Sequence, residues 1–166
     1  MANEHNNFSI RPATIDDVPL ILQFIKDLAD YEKLSDMVVA TEELLRETLF
    51  GERTVAEVVI GYEGEQAAAF ALFFHNYSTF LARPGIYLED LFVKPEFRRK
   101  GYGKRLLTYL AGLAVERKCG RLEWSVLDWN TPAIDFYKSL GAIPMEEWTT
   151  FRLAGQALEE LASGLR

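Results

Sequence analysis

A strand-like apolar run that leads into a basic, glycine-containing loop is the part of the sequence with the clearest chemistry. Residues 86–93 carry the acidic pair Glu89 and Asp90, and Gly101 and Gly103 precede an apolar-periodic segment typical of a helix. Glycines allow the backbone to approach a ligand closely, and the first N–H groups of a helix attract anions. Five of the 18 basic residues of the chain lie in this loop: Arg98, Arg99, Lys100, Lys104 and Arg105. The pattern predicts a binding site for a pyrophosphate group.

A second motif follows about thirty residues later and has the form N-x-x-A-x-x-x-Y-x-x-x-G. Asn130 or Thr131 is expected to cap a helix over residues 131–140, with Pro132 in its first turn and Gly141 at its end. Tyr137 lies deep in this helix. The first motif is not the dinucleotide fingerprint G-x-G-x-x-G, because Leu106 stands where a third glycine is required, and it lacks the Gly-Lys-Ser/Thr of a Walker loop.

The first motif, R-x-x-G-x-G after a Glu-Asp strand, and the second motif, in this order, resemble those of the GCN5-related N-acetyltransferases (GNAT). The wider pattern at residues 10–14, 25–32, 87–90 and 129–132 resembles the diamine branch of that family, which includes the spermidine/spermine and thialysine acetyltransferases. The resemblance covers residues 8–153. It implies an α/β fold with a mixed, V-shaped central β-sheet flanked by helices, acetyl-CoA as the acetyl donor, and a homodimer with the acceptor site near the subunit interface.

The resemblance also assigns site residues by position. The backbone of Leu91, Phe92 and Val93 would pair with the pantetheine arm of acetyl-CoA. Its pyrophosphate would be held by Arg98, Arg99, Lys100, Gly101, Tyr102, Gly103 and Lys104, and the cofactor would be lined further out by Asn130, Thr131, Pro132 and Ala133. The acceptor amine would be faced by Tyr31, Glu32, Glu89, Glu123, Trp124 and Ser125.

Two residues are predicted to act as catalysts of direct acetyl transfer in a ternary complex. An amine with a pKa near 10 must lose a proton before it attacks a thioester, and Glu89 is the candidate base, acting through a water. Tyr137 is the candidate acid for the departing thiolate. Alternation along a strand places Glu89 and Asp90 on opposite faces, so one of the two is expected to be structural. Tyr137 as a core aromatic and Glu32 as a plain surface acid are the alternatives.

The acceptor is the least defined part of the prediction. Counting back from Glu89, Thr79 and Leu81 occupy the places where the polyamine enzymes carry an acidic residue and a tryptophan. Thialysine or a small diamine is therefore at least as good a candidate as spermidine or spermine. A non-catalytic acyl-CoA sensor and an acetyltransferase for proteins or peptides are the alternative functions.

Composition limits the class of protein. The 166 residues are 49% hydrophobic and carry a net charge of −7, which argues against nucleic acid as a partner and suits a cationic acceptor. Cys119 is the only cysteine, so an internal disulfide is excluded, and neither His5 nor His75 has a visible ligand set, so no metal is predicted. No apolar run approaches the roughly 20 residues of a membrane span, and we expect a cytoplasmic protein.

Periodicity and turn signals predict one domain over residues 8–153, a flexible tail at residues 1–7, and a C-terminal tail at residues 154–166 that can form one short helix. Strands are predicted at residues 8–11, 54–62, 66–75, 86–93, 121–126 and 149–153. Helices are predicted after an N-cap at Thr14, and at residues 41–51, 103–119 and 131–140.

Overall fold

Five strands form one mixed β-sheet in the order β1-β2-β3-β4-β5. They are β1 (Phe8–Pro12), β2 (Glu57–Glu63), β3 (Gln66–Ser78), β4 (Arg83–Val93) and β5 (Leu122–Trp124). Neighbouring strands run antiparallel except for β4 and β5, which are parallel. The predicted α/β fold with a mixed sheet flanked by helices is confirmed.

The computed structural model describes residues 7–164, so residues 1–6 of the predicted flexible tail lie outside the described residues. The chain divides into two compact units, one ending at Ser125 and one beginning at Val126. The first unit contains the whole sheet with helices α1 (Val18–Tyr31), α2 (Glu42–Phe50) and α3 (Tyr102–Glu116). The second contains α4 (Thr131–Ser139) and α5 (Gly155–Ala162), the latter in the tail where one short helix was expected.

Helices cover both faces of the sheet in the first unit. The apolar stripe of α1 packs with α2 on one face, where Phe24 stacks on Phe70 at a ring distance of 4.9 Å. Helix α3 covers the other face, with Leu106 and Leu110 fully buried and Tyr102 stacked on Phe8 at 3.9 Å. Burial of these faces is the main stabilising term of such a domain.

The structure corrects several predicted elements, and β2 begins three residues later and α3 ends three residues earlier than predicted. Residues 149–153 form no strand, because a strand needs a neighbour for its backbone hydrogen bonds and none of the strands in the described residues pairs with this segment. The predicted strand at 121–126 is reduced to Leu122–Trp124. Helix α1 begins only at Val18, after a 3₁₀ turn over Ile15–Asp17 that Thr14 precedes.

An ion pair links β1 to the 3₁₀ turn that precedes α1. Both terminal nitrogens of Arg11 donate to Asp17 at 2.8 Å, and the backbone N–H of Thr14 donates to the same carboxylate at 2.7 Å. These donors lower the pKa of Asp17 from 3.8 to about 2, with the Arg11 hydrogen bond as the largest cause. The contact is therefore present above pH 4 and is lost as the pH falls through about 2.

We expect Asp17→Asn to lower the free energy of unfolding by about 1 kcal/mol at pH 7, because the pair is partly exposed to solvent. The same substitution should cost little below pH 2.5, where the carboxylate of the parent protein is itself losing its charge. Urea unfolding of both proteins at the two pH values measures the difference. An equal difference at both would contradict an electrostatic origin.

Candidate active site

The parallel pair β4 and β5 is hydrogen-bonded only at its beginning. The paired residues of β4 are Ile86, Tyr87 and Leu88, and the strand then continues to Val93. Along residues 89–93, the edge of β4 that faces β5 has no partner strand among the described residues. The predicted pantetheine-pairing residues Leu91, Phe92 and Val93 therefore lie on an open strand edge, where backbone groups are available to a ligand. The carbonyl oxygen of Val93 is an exception, because it accepts from Arg98.

A β-bulge lies where β4 and β5 part. Leu88 pairs with Phe73 and Asp90 pairs with Leu72, so Glu89 is an extra residue without a partner on β3. A bulge interrupts the alternation of side chains, because two residues of one strand face a single residue of its neighbour. Leu88 and Asp90, which simple alternation would place on one face, therefore lie on opposite faces. Asp90 shares the α1 face with Leu72, and it interacts electrostatically with Glu89.

Three carboxyl groups meet at this bulge. Asp90 is half-buried, and its pKa is raised from 3.8 to about 6 by desolvation first, then by the negative charges of Glu89 and Glu32. Glu32 follows the last turn of α1 and is half-buried, and burial raises its pKa as well. A partly desolvated acidic cluster of this kind favours a bound cation and supplies a proton acceptor near neutral pH.

The end of α1 connects this cluster to the basic loop. Tyr31 lies against Phe92 at a ring distance of 6.5 Å, and the guanidinium of Arg98 lies 4.7 Å above the Tyr31 ring. Arg98 Nε donates to the carbonyl oxygen of Val93 at 3.0 Å. Tyr31 and Glu32, both predicted to face the acceptor, are thus next to β4, and Arg98 joins the strand end to the Tyr31 ring.

The turn before α3 has the backbone expected of a phosphate-binding loop. Arg99 and Gly101 both have positive φ, 63° and 80°, and α3 starts directly after Gly101. The first N–H groups of α3 are without acceptors inside the helix, as at any helix start. A Cβ at Gly103 would lie 3.8 Å from Leu91 Cδ2 and 3.9 Å from Val93 Cγ2, so Gly103 faces the open end of β4 at ordinary contact distance.

The cations of the loop have different partners. Lys100 Nζ is bound 2.9 Å from both carboxylate oxygens of Glu63, and Arg105 donates to the carbonyl oxygen of Phe8 at 2.7 Å. Arg99 and Lys104 make no ion pair or hydrogen bond with any residue between 7 and 164. These two are the exposed positive charges that remain available for a phosphate.

The predicted acceptor residues of β5 have partners within the protein. Glu123 Oε2 accepts from Asn76 Nδ2 at 2.8 Å and forms an ion pair with Arg121 at 2.9 Å. The hydroxyl of Ser125 is hydrogen-bonded to Tyr87 at 2.7 Å. Trp124 pairs with Leu88, the last residue of β4 before the bulge. The Glu123 carboxylate is thereby bound to Asn76 and Arg121. It is not part of the acidic cluster, which consists of Glu32, Glu89 and Asp90.

In the second unit, α4 has the predicted caps. The side chain of Asn130 accepts from the N–H of Ala133 at 3.4 Å, and Gly141 ends the helix with φ +88°. Thr131 and Pro132 form the first turn, and Tyr137 lies in the last turn with its ring 5.5 Å from that of Phe136. The cap identifies Asn130, rather than Thr131, as the residue that starts the helix.

The described residues form a cavity outside this site, and they contain neither a metal-binding group nor a membrane-spanning helix. A cavity of about 200 Å³ between α2, β2 and α3 contains none of the predicted site residues. Among residues 7–164 there is no group of three or more His, Cys, Asp or Glu side chains arranged to hold a metal ion. No helix in this part of the chain is both long and apolar enough to cross a membrane.

The fold is a mixed sheet whose parallel pair opens next to a glycine-containing helix start. The sequence model of the acetyltransferase (GNAT) family matches residues 24–142, and the chain belongs to this family. The predicted N-acetyltransferase activity and the family resemblance are confirmed.

Relatives of known function cover nearly the whole chain. The chain is 42% identical to the thialysine N-epsilon-acetyltransferase of Bos taurus, over 92% of this chain and 96% of that protein. It is 36% identical to the L-ornithine N5-acetyltransferase NATA1 of Arabidopsis thaliana, over 95% of this chain and 89% of that protein. Among solved structures, an integron cassette protein from the mobile metagenome of V. cholerae superposes with a TM-score of 0.77 at 28% identity, over 94% and 98% of the two chains.

Proposed function

We propose that the protein transfers an acetyl group from acetyl-CoA to the side-chain amine of a small cationic acceptor, of the thialysine, ornithine or diamine type. The observation that carries this proposal is the cluster of Glu32, Glu89 and Asp90 at the bulge, directly beyond the last β4–β5 pair. The relatives named for thialysine and ornithine act on amino acids that carry a side-chain amine, which supports a short acceptor.

The residues around the β4–α3 turn fit acetyl-CoA. An open strand edge at residues 89–93 suits an amide-containing pantetheine arm, and the N-terminus of α3 suits a pyrophosphate. Arg99 and Lys104 would meet the phosphate charge, and Gly103 would allow close approach. Asn130, Thr131, Pro132 and Ala133 are assigned to the cofactor by resemblance. When bound, the cosubstrate supplies the thioester that the amine attacks.

Residues of the chain bind the acceptor and transfer the protons of the reaction. The carboxyl cluster binds the acceptor ammonium, and the pair Glu89 and Asp90 takes up its proton. Asp90, whose pKa is about 6, is a better base than an ordinary carboxyl group. Glu89 was expected to be this base from the sequence. The sequence left Asp90 as the structural member of the pair, and the proposal adds it because it interacts electrostatically with both Glu89 and Glu32. Tyr137 is assigned the role of acid toward the thiolate, as the resemblance implies.

Release of the CoA thiol with purified protein tests this proposal. A panel of thialysine, ornithine, lysine, putrescine, spermidine, spermine and a lysine-containing peptide separates the acceptor classes. We expect turnover with the short amines and little with spermine. Release with the peptide alone would replace the small-molecule assignment by a protein acetyltransferase, and no release with any acceptor would contradict the proposal.

Gly103→Ala should weaken CoA binding without destabilising the fold. The added methyl group meets only ordinary contacts, and alanine is the better helix former, so the free energy of unfolding should stay within about 1 kcal/mol of the parent. The close approach of a ligand would be obstructed, and we expect roughly tenfold weaker binding by calorimetry. Gly112→Ala in the same helix, where a Cβ meets nothing within 4 Å, is the matched control. Equal affinities for both variants would contradict the assignment.

We also propose that the protein forms a homodimer, as the family resemblance implies. Residues 142–153 are extended or irregular and expose large apolar side chains, with Ile143 80%, Trp148 74% and Phe151 93% exposed. Apolar exposure on this scale is typical of an interface. A second copy of the chain would cover this segment, and a monomeric molar mass measured in solution by light scattering would contradict the proposal.

A further inference from the structure

One carboxylate outside the acidic cluster binds both residues that flank Gly101. Glu63 ends β2, and its oxygens lie 2.9 Å from Lys100 Nζ and accept a hydrogen bond from the Tyr102 hydroxyl. Lys100 and Tyr102 are 37 and 39 residues away in sequence, so a β-hairpin end is tied to the turn that starts α3. Nothing in the proposed chemistry uses Glu63 directly.

The Tyr102 side chain is rigidly held. It is 1% exposed, and its ring stacks on Phe8 at 3.9 Å with an interplanar angle of 12°. Phe8 is the strand partner of Glu63, and Arg105 donates to the carbonyl oxygen of Phe8. We call Glu63, Lys100 and Tyr102 the clamp, and these contacts hold it against β1 as well. A buried ring with these neighbours has one orientation, and its hydroxyl fixes the direction of the first turn of α3.

The protonation states of the pair are well separated. Burial, followed by the hydrogen bond to Glu63, raises the pKa of Tyr102 to about 12. The hydrogen bond from Tyr102 and the one from Lys100 lower the pKa of Glu63. At neutral pH the phenol is therefore the donor and the carboxylate the acceptor, which is the stronger, charge-assisted form of such a hydrogen bond.

We infer that Glu63 is a positioning residue for the phosphate-binding turn, acting through Tyr102 and Lys100. This role rests on the proposed use of acetyl-CoA. Lys100 is then part of the clamp and not a phosphate ligand, which differs from its predicted role. The phosphate charge is met by the N–H groups at the start of α3 and by Arg99 and Lys104, and the clamp keeps those N–H groups aimed at one point before the ligand arrives.

Steady-state kinetics with two donors tests the role. Tyr102→Phe removes only the hydroxyl, and Glu63→Ala removes the whole acceptor. For acetyl-CoA we expect KM to rise about tenfold with kcat unchanged, within the range that a displacement of about 1 Å can cost. For S-acetylpantetheine, which lacks the pyrophosphate, we expect no change in kcat/KM. Glu65→Ala, an exposed acid on the same hairpin, controls for the loss of a nearby negative charge.

Hydrogen exchange of the ligand-free protein gives a second readout. The amides of residues 105–107, the first in α3 with acceptors inside the helix, should exchange faster in Tyr102→Phe than in the parent, while those in the middle of α3 should not. Equal losses with both donors, or unchanged kinetics and exchange in both variants, would overturn the positioning role alone. A parent protein that binds no CoA by calorimetry would overturn the proposed function and with it this role.

Discussion

Asp90→Asn is expected to give a more stable and less active protein. The native carboxylate has its pKa raised from 3.8 to about 6, so its ionised form is disfavoured in the folded state. At 1.36 kcal/mol per pH unit, relief of this penalty is worth up to about 3 kcal/mol at neutral pH. For a chain of this length that corresponds to a rise in Tm of several degrees, about 2–4 °C per kcal/mol.

The pH dependence of this gain has a definite sign. A carboxyl whose folded pKa is raised destabilises the protein above that pKa, and the penalty disappears as the pH falls from about 6 to about 4. The stability of the asparagine variant should therefore exceed that of the parent at pH 7.5 and match it at pH 4. Thermal unfolding at the two pH values measures both. A variant that is less stable at pH 7.5 would contradict the burial of a charged Asp90.

Loss of activity is the second half of the same prediction. If Asp90 takes part in proton uptake, kcat/KM for the parent should fall below about pH 6, and the asparagine variant should lose about 10²-fold in rate along with that acid limb. Glu89→Gln is the matched variant at the adjacent position. Retention of the full rate and of the acid limb in Asp90→Asn, together with their loss in Glu89→Gln, would assign the base to Glu89 alone.

Tyr137→Phe carries the other large expected effect. Removal of the hydroxyl leaves the contact between this ring and that of Phe136 in α4 intact, and we expect the fold to be retained. Without a proton donor for the thiolate, kcat should fall by about 10²–10⁴ while KM for both substrates stays within a few-fold. Single-turnover kinetics separate this effect from slow product release.

Tyr77→Phe is the control for this substitution. Tyr77 lies on β3 opposite Pro84 of β4, outside both motifs, with 60% of its surface exposed. Its hydroxyl has no assigned role, so turnover should be unchanged. Full turnover of Tyr137→Phe in the single-turnover measurement would exclude Tyr137 as the acid, even if the acetyltransferase activity itself is present.

Features that depend only on residues close to one another in the sequence could be predicted from the sequence alone. The turn at Gly101 and the cap at Asn130 are local, because a helix start is decided by the few residues around it. The same holds for the C-terminal stop at Gly141 and for the buried stripe of α1, since both follow from spacing along the chain. These signals predicted an α/β domain and the approximate place of both motifs, whereas the mixed sheet was implied by the family resemblance.

Other features required the tertiary structure, because they depend on which distant segments pair. The bulge at Glu89 is a property of the register between β3 and β4, and it places Asp90 in the acidic cluster against the expectation from simple alternation. Lys100 is bound to Glu63 because the end of β2 lies beside the turn that precedes α3. No pattern of residues close in sequence predicts this contact. Residues 149–153 have a strand-like sequence but no partner strand among the described residues of this single chain, so their propensity is not realised. The sequence by itself determined where each motif begins and ends, and the pairing of strands decided which side chains the motifs bring together.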